Sequence, residues 1–260
     1  MKIKLFKSKG QYILKDKAIL KRIVKYADVN QNDVILEVGC GTGALTKILL
    51  KNAKKVYGIE LDKRFIDLLS KKFKDEIKKG RLELIHGDAL KIDFPNFDKF
   101  ISNIPYQISS PLTFKLFKYD FKLAVITYQK EFAERLVASP GDKNYGRLSV
   151  VAKAYCSAEI LEVIPNTAFV PVPKVDSAIV RLTKKPQILV KNSEIFEDLV
   201  RFSFSMRRKK FKKIVDAWCK KYNISLDIPS ELENLRPEDI SPETFAEISN
   251  KAAAKILEKS

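Results

Sequence analysis

The residues that could first do chemistry are three glycines at alternate positions, Gly39, Gly41 and Gly43, in Glu37-Val-Gly-Cys-Gly-Thr-Gly43. They close a short apolar run that begins at Val34, and a helical pattern follows at once from Ala44 to Leu50. Strand, Gly-rich turn and helix let a ligand approach bare backbone at a helix N-terminus. The spacing is G-x-G-x-G, not the G-x-G-x-x-G of dinucleotide sites. Glu60 ends the next apolar run, where a carboxylate suits the two hydroxyls of a ribose. Glu37 adds a second acid beside the loop. A pyrophosphate would be repelled by that pair, whereas a cationic ligand with a ribose would not, and S-adenosylmethionine (SAM) fits that description. The plain alternative is a Gly-rich turn of some other α/β enzyme, which only context can exclude.

Two further groups fall where a strand should end. Asp88 can take the adenine amino group of such a cofactor, or it can simply cap a turn. Asn103-Ile-Pro-Tyr106 is the more specific signal. The exocyclic nitrogen of adenine is a poor nucleophile because its lone pair is delocalised into the ring. The Asn103 side-chain carbonyl and the backbone carbonyl of Ile104 or Pro105 can accept its two hydrogens and push it towards a reactive tetrahedral geometry. Proline removes a competing donor and fixes the loop. Tyr106 offers a face on which a flipped base can stack, with its hydroxyl dispensable. No strong base is needed, because a sulfonium is already an activated methyl donor and positioning can supply most of the rate. Alone, N-x-P-Y would read as an ordinary turn; behind a SAM loop it reads as catalytic.

These groups need a scaffold that presents strand ends side by side. The pattern predicts strands at 34–38, 55–60, 81–86, 97–102, 121–127, 158–164 and 175–183. Helices alternate with them: one capped by Asp16 with an Ile19, Ile23, Ala27 stripe, then 62–73 with Asp62 as cap, 110–118 with Ser109 or Ser110 as cap, 129–138 and 147–154. Such alternation implies a doubly wound, mostly parallel, Rossmann-like sheet whose ligands sit at the C-terminal strand ends. Phe169-Val-Pro-Val-Pro173 reads as a stiff, extended loop. After Pro186 only helical patterns remain, at 194–206, 210–222, 229–235 and 242–258. The predicted organisation is a basic segment 1–15, a SAM-binding domain 16–184 and a small helical domain 185–260.

Composition narrows the partners. Lys plus Arg number 49 against 32 Asp plus Glu, a net +17, which favours a polyanion, nucleic acid first. The charge gathers at Lys2, Lys4, Lys7, Lys9 and Lys15, and at Arg207, Arg208, Lys209, Lys210, Lys212 and Lys213. A solvated helix face explains part of the second cluster, but successive residues cannot share one face, so phosphate contacts are the better reading. Cys40, Cys156 and Cys219 are odd in number and far apart, which suits a reducing cytosol and argues against disulfides or zinc. The single histidine, His86, excludes two-His metal motifs. No apolar run is long enough to span a membrane, and the basic N-terminus lacks the apolar stretch of a secretory signal.

Taken in order, Gly10-Gln-Tyr-Ile-Leu14, Glu37 to Gly43, Ile59-Glu-Leu-Asp62, Gly87-Asp-Ala89, Asn103 to Tyr106, and Phe169-x-Pro-x-Pro-Lys-Val-Asp-Ser-Ala178 resemble the ribosomal RNA adenine N6,N6-dimethyltransferases. The resemblance covers nearly the whole chain. It implies a class I SAM-dependent methyltransferase with a small RNA-binding helical domain, whose basic motif is Arg207-Arg-Lys-Lys210. It implies that Tyr12, Leu14, Gly39, Glu60, Asp88 and Asn103 contact the cofactor, as Gly41 of the loop would, and that Asn103 to Tyr106 form the catalytic loop. Phe169 matches an aromatic that closes the other face of the target base. The family often has Asn or His where this chain has Tyr12, and Phe where it has Ile13.

The implied substrate is a pair of adjacent adenosines in the hairpin near the 3′ end of small-subunit ribosomal RNA, within an immature subunit. The implied protein is a cytoplasmic monomer that needs no metal. Two rivals stand beside this expectation. An enzyme on large-subunit RNA, of the erythromycin-resistance type, would share all the N-terminal logic and differ in its RNA-facing surface. An assembly factor without catalysis is disfavoured by the intact glycines and Asn103-Ile-Pro-Tyr106.

Overall fold

The computed structural model of the chain describes residue 5 and residues 10–258. Lys2, Lys4, Lys7 and Lys9 therefore lie outside the described residues. The chain divides into two compact units: residues up to Ala133 with Glu159–Lys184, and Glu134–Ala158 with Lys185–Ser260.

In the first unit the predicted alternation folds as a seven-stranded sheet. Its strands are β2 (Val34–Val38), β3 (Lys55–Glu60), β4 (Leu82–His86), β5 (Lys99–Asn103), β6 (Leu123–Gln129), β7 (Ser157–Ile164) and β9 (Ser177–Thr183), in the order β4-β3-β2-β5-β6-β9-β7. The first five run parallel, and β9 runs antiparallel to β6. The order reverses between β2 and β5, so a crevice opens beyond their carboxyl ends. Gly39 follows β2 and Asn103 ends β5, so the topology itself brings the glycine loop and the catalytic loop together.

Helices α1 (Lys17–Tyr26), α2 (Ala44–Asn52), α3 (Lys63–Lys72), α5 (Ser109–Phe117) and α6 (Lys130–Val137) connect or flank the strands. Asp16 caps α1 by accepting from the backbone N–H of Ala18 and Ile19, and Asp62 caps α3 through the N–H of Arg64. Ile19, Ile23 and Ala27 are buried, as their spacing requires, and join Ile35, Leu49, Val56 and Leu69 in one core. At the foot of β5 the buried Lys99 ammonium lies 2.8 Å from Asp33 and also donates to the Asp28 carbonyl. Both partners satisfy the cation, which is what makes its burial tolerable.

Three local features differ from the expectation. A short helix, α4 (Lys74–Lys78), follows α3. Ser109 is the first residue of α5 rather than its cap; a 3-10 turn over Tyr106–Ile108 precedes it, and no side chain caps either. Part of the basic segment 1–15 and the start of the extended Phe169 loop pair as a two-stranded antiparallel ribbon, β1 (Ile13–Leu14) with β8 (Phe169–Val170), in the register Ile13↔Val170 and Leu14↔Phe169.

The second unit is helical and extends beyond the 185–260 segment of the sequence reading. It takes in α7 (Arg147–Tyr155) beside α8 (Ser193–Ser205), α9 (Phe211–Lys221), α10 (Ser230–Glu233) and α11 (Pro242–Leu257). The physical reason is packing: α7 lies against α8 and α11, and the buried Tyr145 hydroxyl donates to the Ile240 carbonyl at 2.7 Å. Asp198 on α8 ties α9 down, accepting from Trp218 Nε1 at 2.9 Å and from the Tyr222 hydroxyl and Lys221 at 2.8 Å. Burial pushes the Asp198 carboxyl up, but these bonds and Arg201 outweigh it and hold it well below the usual range.

Candidate active site

The glycine loop takes the shape that only glycine permits. Gly39 has φ +77° and Gly41 φ +52°. A Cβ on Gly39 would stand 3.2 Å from Pro105 of the catalytic loop, and one on Gly41 would stand 2.9 Å from the end of Ile13. The loop is therefore bare because two neighbours close over it.

Glu60 anchors this loop. Its Oε2 accepts the N–H of Gly41 and its Oε1 the N–H of Asp62, both at 2.9 Å. Burial raises its pKa, and the two backbone donors oppose that rise. Each carboxylate oxygen keeps a further lone pair for ribose hydroxyls. Glu37 lies deeper, accepting the Thr46 hydroxyl at 2.6 Å. Burial is the main cause that pushes Glu37 up to about 8, the Thr46 bond opposing and the Glu60 charge reinforcing the shift. A cation placed beside it would favour ionisation.

Two adjoining hollows form one crevice. The first, about 600 Å³, is lined by Tyr12, Leu14, Glu37, the glycine loop, Glu60 and Asn103. The second, about 480 Å³, is lined by Gly39, Glu60, Asp88, Pro105 and Ile108 among others. Gly39, Glu60 and Pro105 line both, which puts Glu60 at the junction. Asp88 also does what a plain turn acid does, accepting the N–H of Leu90 at 2.9 Å.

At the end of β5, Asn103 Nδ2 donates to the Tyr12 carbonyl at 3.3 Å. Its Oδ1 is buried and has no partner. A buried carbonyl without a donor is costly and calls for an explanation; an amine arriving from a substrate would supply it. Beside it the Tyr106 ring stacks on Tyr12, centroids 5.3 Å apart at 25°. The Tyr106 hydroxyl, expected to be dispensable, lies 2.6 Å from Ser177 Oγ. Ile104 is buried as well.

Phe169 departs from the expectation. It is fully buried, paired with Leu14, and part of the main core, so it presents no face to a base in this structure. The physical reason is the β1–β8 ribbon, which alternates Phe169 inward and Val170 outward. Sequence reasoning missed Thr46, Ser177 and the bond from Gln11 Nε2 to Asp62 (3.0 Å). The only signals were a hydroxyl early in α2, the serine closing the Phe169 motif and the Gln beside Tyr12.

In the second unit Arg207 to Lys210 form an exposed turn between α8 and α9. Arg207 bonds Glu238 at 2.8 Å and Lys210 bonds Asn234 at 2.7 Å. Arg208 and Lys209 have no ion-pair partner among the described residues. Also among the described residues, no helix is long and apolar enough to cross a membrane. Nor does any group of three or more His, Cys, Asp or Glu there offer a metal site. Cys40, Cys156 and Cys219 are buried and form no disulfide.

A parallel sheet with a glycine loop, two buried acids and a strand-end Asn-x-Pro-Tyr defines a class I SAM-dependent methyltransferase. The profile of the ribosomal RNA adenine dimethylase family matches residues 3–250, and the chain belongs to that family. It is 44% identical over 248 residues to the "Probable ribosomal RNA small subunit methyltransferase A" of Pyrococcus furiosus, covering 92% of this chain and 89% of that one. A crystal structure of a dimethyladenosine transferase from Plasmodium falciparum superposes with TM-score 0.79 at 35% identity, covering 94% of this chain and 98% of the other. The 23S rRNA methyltransferase ErmE shares the fold, with TM-score 0.69 at 24% identity over 92% of this chain and 98% of its own. The cofactor is SAM, and the bare loop and the two buried acids beside it fit it.

Proposed function

We propose that this enzyme transfers two methyl groups to N6 of adenosines in small-subunit ribosomal RNA, on adjacent adenosines of the 3′-terminal hairpin. The observation that carries the reading is the buried, unpartnered Oδ1 of Asn103 at the carboxyl end of β5, one strand from the glycine loop. The family membership and the name of the Pyrococcus furiosus relative support the substrate.

In this reading the glycine loop, Tyr12 and Leu14 flank the methionine part of SAM, Glu60 the ribose and Asp88 the adenine. Bound SAM supplies an activated methyl group. The residues of the chain then have three tasks. Asn103 Oδ1 and the carbonyl of Ile104 or Pro105 accept the amine hydrogens and turn the nitrogen lone pair out of the ring plane. Pro105 and Gly39 hold the catalytic loop against the cofactor loop. Tyr106 supports the base, one of its faces being taken by Tyr12. Phe169 can serve as the opposite wall only if the β1–β8 ribbon opens. Arg207 to Lys210 contact RNA phosphates, which carry shape rather than sequence information. The enzyme acts as a cytoplasmic monomer on an immature small subunit.

The test is mass spectrometry of both ribosomal RNAs after immature subunits are incubated with the protein and labelled SAM. Dimethyladenosine in small-subunit RNA is expected. Label confined to large-subunit RNA sinks the substrate reading, and no label sinks catalysis.

A further inference from the structure

We infer that Ser177 is a positioning residue of the methyl-transfer site, acting through Tyr106; this rests on the methyltransferase reading above. Ser177 opens β9, is fully buried, and lies opposite Gln129 at the end of β6. Its Oγ is 2.6 Å from the Tyr106 hydroxyl. Tyr106 begins the 3-10 turn after Pro105, and no side chain caps that turn. The ring is thus tethered at its far end by Ser177 and packed on one face by Tyr12. The Tyr12 carbonyl in turn accepts from Asn103 Nδ2, leaving Oδ1 as the buried acceptor. Four residues form one chain of contacts, from a serine on β9 to the acceptor on β5. The chain gives a physical reason for two motifs so far apart in sequence to occur together: the serine of one holds the tyrosine of the other.

The pair holds position and does not move a proton. Burial pushes the Tyr106 phenol up, with the Ser177 bond opposing, so it stays neutral near pH 7. Without Ser177 Oγ, a partly buried phenol loses its partner, and the remedy is for the ring to swing towards water, carrying the Tyr12 contact and the Asn103 amide with it. Displacements of that kind are expensive for a reaction that depends on geometry. Neither Ser177 nor Tyr106 lines the crevice, and the glycine loop and Glu60 are not part of this chain of contacts, so cofactor affinity should change far less than the rate even though Tyr12 and Asn103 line the first hollow.

The experiment is a single-turnover double-mutant cycle on the full chain. Ser177→Ala and Tyr106→Phe should each slow methyl transfer about tenfold, as one lost hydrogen bond implies, with KM for SAM within about twofold of wild type. The double variant should be no slower than either single one. Ser177→Thr keeps the hydroxyl and should stay near wild type, whereas Ser177→Val, with the same shape, should resemble Ser177→Ala. Wild-type rate in Tyr106→Phe, losses that multiply, or equal rates for the Thr and Val variants overturn the proposal. Tyr106→Phe leaves Ser177 in place, so it decides the matter even if Ser177→Ala does not fold. The rates are read on whichever ribosomal RNA the wild type methylates. Label only on large-subunit RNA overturns the substrate reading while the cycle still tests the coupling, and a wild type that labels neither overturns both.

Discussion

The crevice at the sheet's switch point and the turn Arg207–Lys210 both carry polar groups, but they carry them in opposite ways. In the crevice the key groups are buried or partly buried and fixed by another part of the chain: Glu60 by two backbone N–H groups, Glu37 by Thr46, Asn103 by the Tyr12 carbonyl. On the turn the cations are exposed, two with partners and two without. Attack at N6 demands an angle and a distance, so its groups are held before substrate arrives. Phosphates demand only positive charge within reach, and exposed cations supply it.

Removing a fixed group should therefore cost far more than removing an exposed one. The largest loss is expected for Asn103→Ala. It deletes the orphaned acceptor but sits at a strand end outside the apolar core, so the fold should survive. Single-turnover methyl transfer should drop on the order of 10²–10³, with RNA affinity little changed. A drop of only about twofold would mean that the backbone carbonyls suffice.

Glu37 comes next, and its effect should be visible without substrate. Its folded pKa, about 8, lies above its unfolded value, which is that of an ordinary glutamate. Such a group stabilises the fold most below its unfolded pKa, and that contribution is lost as pH rises through about 8. Denaturant titrations should show wild-type stability falling between about pH 5 and 8, and Glu37→Gln should remove a slope worth on the order of a few kcal/mol. Carboxyls held low, such as Asp62, Asp98 and Asp198, contribute their pH dependence at more acid pH, whereas Glu60, also raised by burial, adds to the fall in both proteins, so the difference between the two curves reports Glu37. Parallel curves for the two proteins would show that Glu37 is ionised in the fold.

Glu60→Ala should weaken SAM binding by roughly 1–3 kcal/mol, the cost of removing a charged hydrogen-bond partner. Because Glu60 also pins Gly41 and Asp62, calorimetry should show a less favourable entropy as well, from a loop that must be ordered on binding. Unchanged affinity in a folded variant would place the ribose elsewhere.

How much of this was legible in the sequence follows from range. The strand from Val34, the glycine loop, Glu60 and Asn103 are written in local periodicity and in residue types with few alternatives. The switch-point rule then brings them together with no knowledge of side-chain contacts. The β1–β8 ribbon was not legible, because two residues per strand carry no period. The bond from Ser177 to Tyr106 spans 71 residues and that from Asn103 to Tyr12 spans 91, and no local pattern encodes such pairings. For α7 the pattern showed a short helix but not that α8 and α11 would cover it. Phe169 was read from resemblance as a wall for the base, whereas its burial is decided by its partner across the ribbon, Leu14.

The smallest effect is expected on the basic turn, and it can be divided among its four cations. RNA affinity should fall with salt because bound phosphates release counterions, with a logarithmic slope of about 0.7–0.9 for each cation that contacts a phosphate. Arg208 and Lys209 enter the encounter without a competing anion. Arg207 must first loosen Glu238, and its exposed pair is worth only about 0–1 kcal/mol. Lys210 must leave Asn234. Replacing Arg208 and Lys209 together with Ala should therefore flatten the slope by about 1–2, more than the same change at Arg207 and Lys210, and neither pair should alter SAM affinity. Filter binding at several salt concentrations measures this directly. Equal slopes for both pairs would show that the internal partners do not compete with RNA. A slope identical to wild type in the fourfold variant would move the phosphate contacts away from this turn and end the comparison on which these expectations rest.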